Sequence, residues 1–191
     1  MTIAARRQTV VAAPVAIAAG CALLVLRPVL WEIAGHPTLA AVALFVALLL
    51  IGWRWPVARD DGARAAGGGP APIAVALAVG VAAFAVGRLV GGGHPPVPFA
   101  GRLILLNSLA AVAEEAFFRR LVYATLRPAG VGYAVAGSAV LFAIVHVTVY
   151  GAWVLPIDLA AGLVLSWQRA ATGSWAVPAV THVLANVLVV V

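Results

Sequence analysis

Long apolar segments follow one another along most of this chain, separated by short polar or glycine- and proline-rich linkers. The first of them, residues 8–26, contains no charged side chain. Overall, 64% of the residues are hydrophobic and 9% are charged, whereas an ordinary soluble domain carries roughly 25% charged residues. A soluble globule of this composition would expose much of its apolar surface to water, so we expect an integral membrane protein.

The length of the chain limits the number of membrane-spanning helices. Each span needs about 20 residues, so the chain accommodates about six to eight helices and no separate soluble domain. We predict an all-α fold in which residues 1–191 form a single integral membrane domain, a polytopic transmembrane helix bundle of about seven helices. The predicted spans are 8–26, 38–53, 73–90, 103–126, 131–149, 152–168 and 175–191.

The basic residues carry information about orientation. All 12 of them are arginines, and they lie between the apolar segments rather than in one patch. With the N-terminus in the cytoplasm, most arginines fall on or towards the cytoplasmic side, and only Arg27, Arg88 and Arg102 fall outside. This distribution agrees with the positive-inside rule. We therefore predict a multi-pass protein of the cell membrane with a cytoplasmic N-terminus and no nucleic-acid partner.

The fourth predicted span contains charged residues that are costly in a bilayer. Ionised side chains at mid-membrane cost roughly 2.5–3.5 kcal/mol each on insertion scales. Glu115 and Arg119 are spaced i, i+4 with the acid first, which is the favourable order for an ion pair on one helix face. Glu114 is rotated away by about 100° and has no such partner. The spacing predicts that Arg119 holds Glu115 and that Glu114 is left for chemistry.

Polar residues also occur in two later spans. His146 lies in the fifth, and His182 and Asn186 share a helix face in the seventh. At about 1.5 Å of rise per residue, these residues and Glu114 reach similar depths near the middle of the membrane. A carrier would spread its ionisable groups along a path across the bilayer. The clustering favours a reaction centre, with a non-catalytic protein (an immunity-type binding protein or a proton or ion carrier) as the alternative.

Three motifs in this order resemble the signature of the CPBP family, the CAAX-protease (CAAX prenyl protease 2-like) and bacteriocin-processing (ABI) type of intramembrane endopeptidase. The resemblance covers roughly residues 102–191, the predicted catalytic helices. The motifs EExxxR, FxxxH and HxxxN are matched by Glu114, Glu115 and Arg119, by Phe142 and His146, and by His182 and Asn186.

The resemblance implies hydrolysis of a peptide bond in a membrane-associated protein or peptide, such as a CAAX-type or C-terminal tail. It implies that Glu114 and His146 activate a water molecule, and we expect Glu114 to be the general base that later protonates the leaving amine. His182 and Asn186 would donate hydrogen bonds to the oxyanion or help to hold the water. Phe142 is expected to line the substrate pocket.

The Glu115–Arg119 pair would fix the helix geometry or position the substrate. A divalent metal such as zinc is a second possibility, with Glu114, His146 and His182 as ligands and Glu115 as the alternative base. The HExxH arrangement of the common zinc proteases is absent from the sequence. A glutamate-type protease would need no metal, and both alternatives stay open.

Other intramembrane protease classes fit the sequence poorly. A rhomboid-like serine site needs GxSG, which the sequence around Ser138 does not supply. An aspartyl protease needs two intramembrane aspartates, and only Asp158 qualifies. Because Asp158 follows Pro156, we interpret it as a residue at the start of the sixth span near the outer interface rather than as a catalytic group.

Overall fold

The structure, a computed structural model, describes the backbone of residues 3–54, 69–90 and 100–190. Within these ranges every regular element is helical, which confirms the predicted all-α bundle. The helices are α1 (Ile3–Val25), α2 (Arg27–Ile33), α3 (Pro37–Arg54), α4 (Pro70–Val90), α5 (Ala100–Glu115), a π-helix (Ala116–Val122), α6 (Tyr123–Leu126), α7 (Val131–Tyr150), α8 (Leu155–Thr172) and α9 (Ala176–Val190).

The seven predicted spans each coincide with a helix or a continuous helical segment, but they differ in how apolar they are. Among the described residues, three helices are long and apolar enough to cross a membrane: α3, α4 and α7. A bent pair, α1 with α2, makes a fourth candidate. Helix α9 is apolar but short over Ala176–Leu188. The helices that carry most of the polar motif residues are therefore not the ones that hydropathy alone identifies.

The junction between α1 and α2 bends by 57°. Pro28 occupies the first turn of α2, and a proline there cannot donate the backbone hydrogen bond that would continue α1. The bend turns Arg27 into the bundle, where it is 5% exposed. The sequence analysis used Arg27 only as an indicator of orientation, on the outer side of the membrane, and its burial shows that it also packs inside the bundle.

The fourth predicted span is a continuous α-helix only as far as Glu115, because residues 116–122 are wound as a π-helix. A π-helix leaves backbone carbonyls free for other donors and often marks a functional site. Ser138 Oγ donates to the carbonyl of Phe118 at 2.9 Å, and Arg169 Nε donates to the carbonyl of Arg119 at 3.1 Å. Helices α7 and α8 therefore hold this segment through its own backbone.

Two glycines allow close helix packing around the π-helix. A Cβ atom on Gly52 would lie 2.6 Å from the carbonyl carbon and oxygen of Ala116, so α3 can approach only because this residue has no side chain. A Cβ atom on Gly162 would lie 3.0 Å from the Cα of Ala139, which brings α8 onto α7. Small residues commonly permit such close contacts between membrane helices.

Candidate active site

Glu114 and His146 lie side by side inside the bundle. Glu114 lies in the last turn of α5 and is 4% exposed. His146 lies one turn before the end of α7 and is 8% exposed. The distance from Glu114 Oε2 to His146 Nε2 is 3.8 Å. The structure thus brings together the two residues that the sequence analysis assigned to water activation.

The other ring nitrogen of His146 is occupied by a backbone contact. Nδ1 lies 2.7 Å from the carbonyl oxygen of Phe142. A carbonyl oxygen only accepts hydrogen bonds, so Nδ1 carries the proton and donates it. In the neutral ring, Nε2 is then an acceptor, and this lone pair is on the nitrogen nearest to Glu114.

Glu115, Arg119 and His182 form a second, deeper cluster. Arg119 Nη1 lies 3.1 Å from Glu115 Oε1, and both side chains are fully buried, so the predicted ion pair is present. His182 Nδ1 lies 2.9 Å from the same carboxylate oxygen. Arg119 Nη2 also donates to the carbonyl of Gly162 at 3.2 Å. These contacts join α5, the π-helix, α8 and α9 at one point.

Phe142 lies between the two clusters. Its ring centroid is 4.5 Å from that of His146 and 5.9 Å from that of His182. The guanidinium carbon of Arg119 lies 4.6 Å from the same ring. Phe142 is 3% exposed, so it packs in the interior between the histidines and orients both rings.

The hydrogen bond that Asn186 makes in the structure is not directed at Glu114 or Glu115. Its Nδ2 donates to the backbone carbonyl of Asn107 at 3.1 Å. This contact ties α9 to α5 about two helical turns before Glu114. The second proton on Nδ2 and the Oδ1 atom are the groups through which Asn186 would reach a substrate.

Arg27 contributes to the site from the N-terminal helices. Its Nη1 lies 3.9 Å from Glu114 Oε1. The guanidinium is surrounded by the rings of Trp31, Phe45 and Tyr150, whose centroids are 5.3, 5.9 and 5.9 Å from its central carbon. The prediction that Glu114 has no partner along its own helix face stands, but a cation from a distant helix lies beside it. The i, i+4 spacing places Arg27 and Trp31 on one helix face, but no spacing in the sequence predicts the approach of Arg27 to Glu114.

Asp158 also contacts the site, which corrects its interpretation as a residue that only starts a helix. Its Oδ2 lies 3.8 Å from Nδ1 of His146, and its side chain is 17% exposed. Within the described chain this oxygen is buried without a hydrogen-bond partner. The α7–α8 connection brings Asp158 back to the end of α7, and spacing along the sequence carries no direct signal for that contact.

The predicted zinc ligands do not form a ligand set. In the described ranges, no group of three or more histidine, cysteine, aspartate or glutamate residues is arranged to hold a metal ion. Glu114 and His146 are neighbours, but Nδ1 of His182 is engaged by Glu115. The geometry therefore does not fit the proposed Glu114, His146 and His182 site, and no step of the chemistry below is routed through a metal.

The region that carries these clusters matches a known family. Residues 96–188 match the family model described as Type II CAAX prenyl endopeptidase Rce1-like. This region of the chain is therefore similar to the Rce1-like family. No curated protein and no solved structure matches the chain. All three motifs fall within the Rce1-like match, and this similarity to a protease family supports a protease site on the same helices.

Proposed function

We propose that the protein is an intramembrane endopeptidase that hydrolyses a peptide bond in a membrane-associated protein or peptide, using a water molecule activated between Glu114 and His146. The observation that carries this proposal is the 3.8 Å separation of Glu114 Oε2 and His146 Nε2 inside the bundle. The similarity to a protease family also favours a protease over a carrier or an immunity-type binding protein.

The two acceptor atoms suit the activation of water. With His146 Nδ1 donating to Phe142, both Nε2 and the Glu114 carboxylate accept hydrogen bonds. One water molecule at the usual distance of about 2.8 Å from each can donate a proton to both. Its lone pairs then face away from the two bases and towards a substrate carbonyl, and its proton has an acceptor as the bond to carbon forms.

His182 and Asn186 are the candidates for the developing oxyanion. Because Nδ1 of His182 faces the Glu115 carboxylate at 2.9 Å, it is Nε2 that is left for the substrate. In the doubly protonated ring Nε2 donates to the oxyanion, and Glu115 balances the charge. In the neutral ring Nε2 accepts a hydrogen bond and helps to hold the water.

The substrate class follows from the family. The Rce1-like description names a CAAX prenyl endopeptidase, so we propose a CAAX-type or other C-terminal tail of a membrane-associated polypeptide. The lipid bilayer delivers such a substrate laterally to a site enclosed by helices. Because Glu114 and His146 supply two acceptors and no third ligand joins them among the described residues, the proposed chemistry uses these two side chains and is not routed through a metal ion.

The proposed orientation has the N-terminus in the cytoplasm of a multi-pass protein of the cell membrane. The arginine distribution supports it, apart from three arginines that are buried in the bundle, one of which is Arg27 at 5% exposed. Arg119 is fully buried and Arg169 is 6% exposed, and both serve packing within the bundle. The three buried arginines therefore do not count among the arginines that flank the membrane, and the positions of the other arginines in the sequence still favour this orientation.

A comparison of membrane-protein fragments in cells tests the proposed function. Cells expressing the wild type, E114Q or E32Q are compared by mass spectrometry of membrane fractions. Glu32 lies exposed on α2, so E32Q removes the same charge outside the site. We expect C-terminal fragments with the wild type and E32Q and none with E114Q at equal protein levels. The same fragments in cells with inserted E114Q would refute the proposal.

A further inference from the structure

His146 is flanked by a carboxylate on each side of its ring. Glu114 Oε2 lies 3.8 Å from Nε2, and Asp158 Oδ2 lies 3.8 Å from Nδ1. The two carboxylates come from different helices, α5 and α8, and the histidine lies on α7 between them. The ring of His146 therefore lies between two carboxylate groups.

The two acids themselves are not equivalent. Glu114 has a cation beside it, because Arg27 Nη1 lies 3.9 Å from its Oε1. Arg27 therefore supplies a counter-charge to the Glu114 carboxylate. Asp158 has an oxygen that is buried without a hydrogen-bond partner among the described residues, and a buried unpaired oxygen is costly. A proton arriving on His146 gives that oxygen a positive neighbour.

We propose that Asp158 is a positioning residue of the hydrolytic site: its carboxylate faces Nδ1 of His146 and balances the positive charge that the ring gains when Nε2 takes the proton from the water. This inference rests on the proposed function and assigns its proton transfer. Glu114, with Arg27 beside it, holds and orients the water. Asp158 acts through the histidine and does not touch the substrate.

Each bond that forms in the proposed hydrolysis is matched by a bond that breaks. The water oxygen bonds to the carbonyl carbon of the substrate, the π electrons of that carbonyl move to its oxygen, and one water proton goes to Nε2 of His146. When the carbonyl re-forms, the carbon–nitrogen bond breaks with its electron pair on nitrogen. His146 returns the proton to that nitrogen, which leaves a carboxylic acid and an amine.

Kinetics in proteoliposomes test the role of Asp158. The probe is a quenched fluorescent peptide with a farnesylated cysteine and a three-residue tail, and the proteins are the wild type, E114Q, D158N, D158E and E32Q. We expect D158N to lower kcat about 10- to 100-fold with KM within about twofold. This is part of the roughly 10²–10⁴-fold that a positioned acid–base group contributes. D158E, which keeps the carboxylate, is expected to retain most of kcat, and E32Q all of it.

The outcomes separate this inference from the proposed function. Activity in E114Q would overturn the proposed function itself. An inactive E114Q together with an unchanged kcat in D158N would overturn only the role of Asp158. A rise in KM at constant kcat would make Asp158 a substrate-binding residue, and an equal loss in D158E and D158N would show that the carboxylate is not what matters. Either result contradicts the inference. Thermal unfolding of each variant in the same liposomes checks that all are folded.

Discussion

Arg27 and Glu114 are buried neighbours although they lie on helices from opposite halves of the chain. The Nη1–Oε1 distance is 3.9 Å, and the two side chains are 6% and 5% exposed. The bend after α1 and the rings of Trp31, Phe45 and Tyr150 hold the guanidinium in place. The N-terminal helices thus supply a charge to a site whose motifs all lie in the C-terminal half.

Removal of this cation is expected to weaken both the fold and the reaction. R27M leaves Glu114 buried without a cation and should lower the free energy of unfolding by about 3 kcal/mol. R27K keeps the charge but loses the planar contact with the rings, so it should fall between R27M and the wild type. Thermal unfolding and peptide cleavage measure both effects. Arg102, which is exposed on α5, gives the matched control R102M, and equal unfolding temperatures for R27M and R102M would contradict this prediction.

Removal of Arg119 alone is expected to destabilise the protein more than removal of both charges of the Glu115–Arg119 pair. R119A leaves Glu115 without its ion-pair partner in the bundle interior, and breaking such a buried pair costs about 3–5 kcal/mol. The double variant E115M/R119M removes both charges and should recover much of that loss, because an apolar pair needs no counter-charge. Thermal unfolding tests this.

Cleavage by the same double variant is a separate test of the pair. His182 loses the carboxylate that accepts from Nδ1, so we expect E115M/R119M to be folded but poorly active. Full peptide cleavage by this variant would show that Glu115 does not support the chemistry.

Chelation of divalent metals is expected to leave the activity intact. The reason lies in the side chains: His146 and Glu114 are adjacent, but no third histidine, cysteine, aspartate or glutamate of the described residues completes a metal site with them. Elemental analysis of the purified protein and cleavage assays after dialysis against a chelator measure this. Loss of cleavage that zinc alone restores would show that the ligand set assembles in a conformation different from this one.

Two glycines allow a matched test of the π-helix packing. G52A places a Cβ atom 2.6 Å from the carbonyl of Ala116, so it should destabilise the protein by about 1–3 kcal/mol through overpacking. G87A lies in α4 with nothing within 4 Å of the added atom and should be neutral or slightly stabilising. Unfolding temperatures of the two variants measure the difference. Equal temperatures would mean that α3 does not rest on the π-helix as described.

The local features of this protein were predictable because they depend on residues close together in the sequence. Apolar segments predicted an all-α bundle, since a helix in lipid must satisfy its own backbone and present apolar side chains. The Glu115–Arg119 pair was predictable for the same reason, because an i, i+4 spacing places both side chains on one face. The motif residues Glu114, His146 and His182 could be selected as rare polar groups in apolar spans.

The contacts between helices were decided only by the tertiary structure. Arg27 reaches Glu114 because α1 bends at a proline, and Asp158 reaches His146 because α8 turns back along α7. Neither distance is encoded in a helical period. The π-helix, too, depends on partners from distant segments that bind its freed carbonyls. Helical periodicity specifies which face a side chain occupies, and only the packing of whole helices determines what that face meets.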